Sequence, residues 1–197
     1  MKYKTWGTFV FLLSCIGCTA VVSPQKELQL LHSKSECCQT FSAMPFRRLN
    51  NEEKFDLTLN QNPVYQFSQG KSYFIAFVRP PESQFVEVTS WLNGLLIHNT
   101  TLVYPLLTVL DKDYSVIGTL RPKEHWKYGL NIKKHPVKAP YYEVQFRLPD
   151  EARYVVMHTT PAMLEESTPY VHQAPTGVTL DVQVRFSLSG NIEFKFL

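Results

Sequence analysis

Glycine is scarce in this chain, at 8 of 197 residues, cysteine occurs only 4 times, and charge of one sign never dominates. Each shortage excludes something. There is no G-x-G-x-x-G, no P-loop, no G-x-S-x-G elbow and no H-E-x-x-H, so dinucleotide, phosphate-loop, α/β-hydrolase and zincin chemistry have no anchor in the sequence. The six histidines (His32, His98, His125, His135, His158, His172) are scattered, none paired at i, i+2 or i, i+4, and read as surface or loop residues rather than metal ligands. Acidic pairs such as Glu52-Glu53, Asp150-Glu151 and Glu165-Glu166 are adjacent, so their side chains diverge. The chain reads as non-enzymatic, without metal or cofactor. A hydrolase would need carboxylates brought together from distant segments.

No apolar run reaches the roughly 20 residues that a membrane-spanning helix needs. The only candidate is the short stretch Trp6 to Leu13, preceded by Lys2 and Lys4 and followed by Ser14 and Gly17. That layout is a secretory leader. It holds Cys15 and Cys18, a C-x-x-C pair. A zinc site would need two further ligands, and the remaining cysteines, Cys37 and Cys38, are neighbours. The pair reads instead as a bacterial lipobox. Cys18, behind Ile16 and Gly17, is the favoured lipid-attachment site; Cys15, behind Leu13 and Ser14, is the alternative, and a plain leader cut near Ala20 is a third reading. Several acyl chains on the new N-terminus would anchor the chain stably. The next residue, Thr19 or Ile16, is not the Asp that marks inner-membrane retention. The expected place is therefore the outer membrane, periplasmic face, with a soluble periplasmic protein as the alternative.

Of 20 Lys+Arg against 17 Asp+Glu, Lys2 and Lys4 belong to the leader, and without them the net charge falls from +3 to +1. Nucleic acid is not an expected partner. The expected organisation is a leader over 1–17, a tether over 18–36 with room for a short helix, and one domain over 37–197.

Period-two alternation dominates that domain. In "GVTLDVQVRF", Val178, Leu180, Val182, Val184 and Phe186 alternate with Thr179, Asp181, Gln183 and Arg185; "YYEVQFRL" and "NIEFKFL" repeat the pattern. Ser189-Gly190-Asn191 reads as a hairpin turn between the last two strands, and Asp111-Lys112-Asp113 as a turn further up. Two short helices are expected: "TPAMLEES", with Thr160 as N-cap and Pro161 at the first position, and "RPKEHWKYG". About ten short strands without crossover helices predict an all-β, antiparallel β-sandwich.

Three groups carry candidate binding chemistry. Cys37 and Cys38 are a candidate vicinal disulfide in an oxidising compartment; two reduced thiols or a link to another chain are the alternatives. Trp91, Trp126 and Tyr128 are candidate stacking faces for a sugar, with burial in the core as the competing reading. Arg121, Lys123, Lys127, Lys133, Lys134 and Lys138 face a single acid, Glu124, and are a candidate contact for an anionic surface, against a solvated loop and protected strand edge.

Three segments, "VYPLLTVLDKDYSVI" (103–117), "FRLPDEARYVVMHTTPAMLEEST" (146–168) and "PTGVTLDVQV" (175–184), together resemble the MalM family, the maltose operon periplasmic proteins. "CCQTFSAMPFRRL" and "PVYQFSQGKSYFIAFVRP" (63–80) resemble its lipoprotein-type members. The resemblance covers about residues 37 to 186. It implies a periplasmic, non-enzymatic protein associated with carbohydrate uptake, and no site residues to carry over. The resemblance implies a maltose- or maltodextrin-like carbohydrate, and the one departure from the maltose-operon member, its polar C-terminal extension not being present before Leu197, bears on that link. The expected function is an envelope protein accessory to carbohydrate binding or transport; a structural or assembly component acting through protein contacts is the alternative.

Overall fold

The computed structural model describes residues 22–94, 100–122, 127–130, 140–173 and 179–197. The chain begins with helix α1 (Pro24–Ser33), followed by strands β1 (Phe46–Arg48), β2 (Lys54–Thr58), β3 (Val64–Phe67), β4 (Gly70–Val78) and β5 (Phe85–Trp91). Next come β6 (Thr101–Val103), β7 (Leu106–Leu110), β8 (Val116–Leu120), β9 (Lys127–Leu130) and β10 (Pro140–Arg147). The last are β11 (Tyr154–His158), β12 (Ser167–Gln173), β13 (Thr179–Ser187) and β14 (Asn191–Phe196). The fold is all-β and sandwich-like.

One sheet runs β1-β4-β11-β7-β8, with β3 also paired to β4; a second runs β2-β14-β5-β10-β9; a small third runs β12-β13-β6. The first two share one core. Tyr73, Ile75 and Phe77 of β4, Val155 and Met157 of β11, and Leu107 and Val109 of β7 meet Val86, Val88, Val144, Phe146, Ile192, Phe194 and Phe196 of the opposing sheet. Phe77 stacks on Phe194 at 4.2 Å between ring centres. Alternation explains the layering: burying every second residue of each strand on the facing sheet is what the period of two encodes. Most pairs are antiparallel, but β1 runs parallel to β4 and β13 parallel to β6.

Three expectations are corrected. Residues 127–129, expected as the end of a helix, lie instead in β9, which pairs with β10 (Lys127 opposite Glu143, Gly129 opposite Tyr141). A free sheet edge outweighed a weak two-turn helix signal. Ser189-Gly190-Asn191 is not a hairpin turn, because β13 and β14 lie in different sheets. It carries the chain from one sheet to the other at a tight approach: a Cβ on Gly190 would sit 2.7 Å from Val103 Cγ2 and 2.3 Å from Asn93 Nδ2. The expected tether holds α1, with Ser23 as N-cap and Pro24 in its first turn. Leu31 of α1 is fully buried in the main core. Glu27 is buried too, accepting from Ser187 Oγ at 2.7 Å, Leu188 N at 2.7 Å and Ser189 Oγ at 3.3 Å.

Candidate functional site

β11 is apolar on both faces. Val155 and Met157 enter the core between the sheets, while Val156 joins a second cluster on the outer face of the six-stranded sheet. That cluster contains Met44, Tyr65, Phe67, Phe74, Ala76 and Leu110, with Cys38, Phe41 and Phe46 packed against it. The segment from Cys38 to Phe46 thus lies over this face. Cys37 and Cys38 are joined as a vicinal disulfide at its start, and the Cys37 N–H donates to Val64 O at 2.9 Å.

His158 follows Met157 and is 1% exposed on this outer face. It is not the surface histidine the sequence suggested. Its proton can be placed by elimination. Nδ1 lies 2.7 Å from the Thr159 carbonyl oxygen, which only accepts, so Nδ1 carries the hydrogen. Burial holds the imidazole well below its ordinary value, at about 4, against the opposing pull of that backbone bond. At neutral pH Nε2 is therefore bare and accepts from Thr108 Oγ1 at 2.8 Å. With the Thr108 proton committed, the 3.4 Å contact between the Thr108 and Thr119 hydroxyls is bridged by the proton of Thr119. Cross-strand pairing sets this row, since Thr108 stands opposite both Val156 and Thr119.

Over the imidazole lies Phe67, stacked at 3.9 Å and 10°. Phe67 ends β3, and the turn Ser68-Gln69 leads into β4. That turn is held in two ways. Thr160 Oγ1 donates to Gln69 O at 2.8 Å, and Gly70, at φ +116, brings its backbone against Pro161. Thr160 was expected to cap the segment after it. That segment is a 3-10 helix, Pro161–Glu165, without a side-chain cap; the Thr160 hydroxyl is turned to the Gln69 carbonyl instead.

Between these parts is a cavity of about 180 Å³. Thr108, Thr119 and His158 form one polar side, Phe41, Tyr65 and Phe67 the aromatic side, and Gln66, Ser68, Gln69 and Val116 complete the wall; among the described residues no Lys, Arg, Asp or Glu lines it. The aromatic rings are mutually packed, Phe41 on Tyr65 at 5.1 Å and Tyr65 on Phe67 at 5.0 Å. Gln69 Oε1 is buried without a hydrogen-bond partner among the described residues. An acceptor left so is costly unless a donor arrives.

The Thr108–His158 pair has the connectivity of a nucleophile and a base. An imidazole held near 4 is a weak base at neutral pH. Among the described residues the cavity offers a recess lined by uncharged side chains, with a flat aromatic wall and hydroxyl, imidazole and amide groups beside it. Among the described residues no cluster of three or more His, Cys, Asp or Glu could hold a metal ion.

The sequence-derived candidates fall elsewhere. Trp91 is 7% exposed, with its ring 5.2 Å from Tyr141, and offers no open stacking face. Lys127 and Tyr128 lie on β9, and Arg121 is exposed just after β8. Cys15, Cys18, Lys123, Trp126, Lys133, Lys134 and Lys138 lie outside the described residues. Compared with protein-family models, with curated proteins and with solved structures, the chain matches none.

Proposed function

We propose that this is a lipid-anchored protein of the bacterial cell envelope that holds a single sugar ring in the outer-face cavity and serves carbohydrate binding or transport without catalysing a reaction. The leader with its Cys18 lipobox and the MalM-like segments support the setting. The observation that carries the binding reading is the recess itself, with three packed aromatic rings on one side and Thr108, Thr119 and His158 on the other. A hydroxyl-rich ring brings both an apolar face for the aromatics and donors for the acceptors. The volume, about 180 Å³, is close to that of a cavity of about 150 Å³ known to take benzene. It suits one ring rather than a chain of them.

A second reading, assembly through protein contacts, is favoured by one observation: Val116 and Ile117 on the edge strand β8 are 52% and 39% exposed. Titrating the purified domain with monosaccharides, read through the tyrosine ring resonances, separates the two. Saturable shifts confined to the cavity support binding. No shift with any sugar, together with capture of an envelope protein by crosslinks at β8, would leave assembly as the function. Intact-mass measurement of membrane-extracted protein, with Cys18→Ala and Cys15→Ala alongside, tests the anchor: an acylated N-terminus lost only in Cys18→Ala is the expected result.

A further inference from the structure

We propose that the outward stripe of α1 is a docking surface for anionic phospholipid headgroups, which lays this end of the domain on the membrane that anchors it; the proposal rests on the lipid-anchor reading above. α1 has two stripes. Glu27 and Leu31 are buried, with Leu28 partly so against the main core. Lys26, Leu30 and Lys34 follow one another at four-residue steps, share one face and are all exposed. Leu30 is 48% exposed. A lone exposed leucine is ordinary on a protein surface. This one has a lysine one turn before it and another one turn after. Such a stripe suits a lipid interface, where the apolar tip enters among the acyl chains and the ammonium groups stay with the phosphates.

Chain length supplies the second argument. Pro24 follows Cys18 by six residues. Extended chain gains at most about 3.5 Å per residue, so α1 begins no more than about 20 Å from the acylated cysteine. Its ten residues rise only about 15 Å. The helix is kept near the bilayer, and a contact too weak to recruit a free protein is made there at high effective concentration. Charge agrees. Lys71 lies at the carbonyl end of α1, donating to Lys34 O at 2.6 Å and His32 O at 3.4 Å, and adds a third positive charge. Of the two acids in residues 22–36, Glu27 is buried and Glu36 exposed. The far end of β4 has no such excess: Arg79 donates to Asp150 O at 3.3 Å there, and Asp150 and Glu151 stand beside Arg153. β4 sets the two ends about 26 Å apart. The cavity belongs to the α1 end, since its Ser68-Gln69 turn leads into Gly70 and Lys71. Docking holds the recess near the membrane surface.

The test uses the full chain extracted from membranes and reconstituted into vesicles of phosphatidylcholine, alone or with phosphatidylglycerol, its acylation checked by intact mass. A fluorophore is attached through Gln29→Cys beside the stripe or through Glu151→Cys at the far end, both exposed positions. Lipid carrying a nitroxide on its headgroup quenches whichever label lies on the membrane. The expected result is quenching at the helix and not at the far end, strongest with phosphatidylglycerol and reversed by salt. Lys26→Glu combined with Lys34→Glu should lower the ratio of docked to undocked protein by about tenfold or more. Leu30→Ser should lower it by less. The comparison of lipids needs no charge variant to fold. An acylated protein quenched no more at the helix than at the far end, or equally in both vesicles and unmoved by the lysine pair, overturns the docking surface and leaves the anchor standing. Protein without acyl chains removes the anchor reading and the docking with it.

Discussion

Strand β11 presents two faces that solve different problems with neighbouring residues. Val155 and Met157 enter a dry core in which only side-chain shape matters, between two sheets that cover one another. Val156 and His158 face outward, onto a surface covered by a crossing segment, a tight turn and a ring of aromatics rather than by a second sheet. The inner face can close completely because sheets are continuous. The outer cover is assembled from pieces, and a cavity is left where Phe41, Phe67 and the Gln69 turn meet. The proposed site lies where packing is completed by loops, on a floor that strands hold fixed.

The contrast can be broken most forcefully from the inner side. Phe194→Ala removes a ring that is fully buried and stacked on Phe77. A loss of about 3–5 kcal/mol is expected, read as a lowered urea midpoint. Phe67→Ala on the outer face should cost clearly less and instead abolish ligand binding. Equal losses for the two would erase the distinction between the faces.

Acid probes the outer face next. The native imidazole of His158, at about 4 against an ordinary 6.5, holds its proton less tightly than the unfolded chain does. Between those values the unfolded state binds more protons, so stability is lost as pH falls from 6.5 to 4, by about 3 kcal/mol. His158→Phe should flatten that part of the pH profile. An unchanged slope would mean that the imidazole is not buried neutral.

Glu27 offers a buried polar group beside the main core with the opposite sign. Desolvation raises its carboxyl above the ordinary value of 4.5, more than its three donors lower it. Its contribution is therefore greatest in acid and is lost as pH rises through the raised value. Glu27→Leu should cost about 2 kcal/mol at neutral pH by stranding the Leu188 N–H, while the Ser187 hydroxyl keeps the Ser189 carbonyl as an acceptor. Glu27→Gln should cost under about 1 kcal/mol, since an amide can still accept from Leu188 and donate to Ser187. Equal losses in thermal melts would place the role of Glu27 in its charge alone. The smallest effect belongs to Gly118 on β8, where a Cβ would meet nothing within 4 Å. Gly118→Ala should raise stability by about 0.5 kcal/mol through the unfolded chain, seen as a slightly higher melting temperature.

Much of the inner face was legible in the sequence. Ile192, Phe194 and Phe196 are buried as their spacing says, and so are Val184 and Phe186, with Asp181, Gln183 and Arg185 exposed between them. Connections were less legible. Gly190 reads as a turn in either case, and only long-range pairing decides whether β14 returns to β13 or crosses to β5. The short helix expected in 18–36 is α1, but its hold on the domain was not legible, because it comes from Leu31 and Glu27, whose partners lie far along the chain. The cavity was missed because His158 was weighed as an isolated histidine. A usable signal was present: Val155, Val156 and Met157 are apolar without alternation, which marks a strand covered on both faces. A histidine that continues such a run is placed inside. The partner threonines could not be named from sequence, since β7 and β8 reach β11 only through the register of the sheet.

The most direct measurement is nitrogen-detected NMR of the His158 imidazole across pH 3 to 8, with and without a saturating monosaccharide. The expected result is a ring protonated at Nδ1 and bare at Nε2, unchanged down to about pH 5 and titrating near 4, with its resonances moved by the ligand. A midpoint near 6.5 and no response to the ligand would contradict both the buried, inward-running chain of donors and the cavity built upon it.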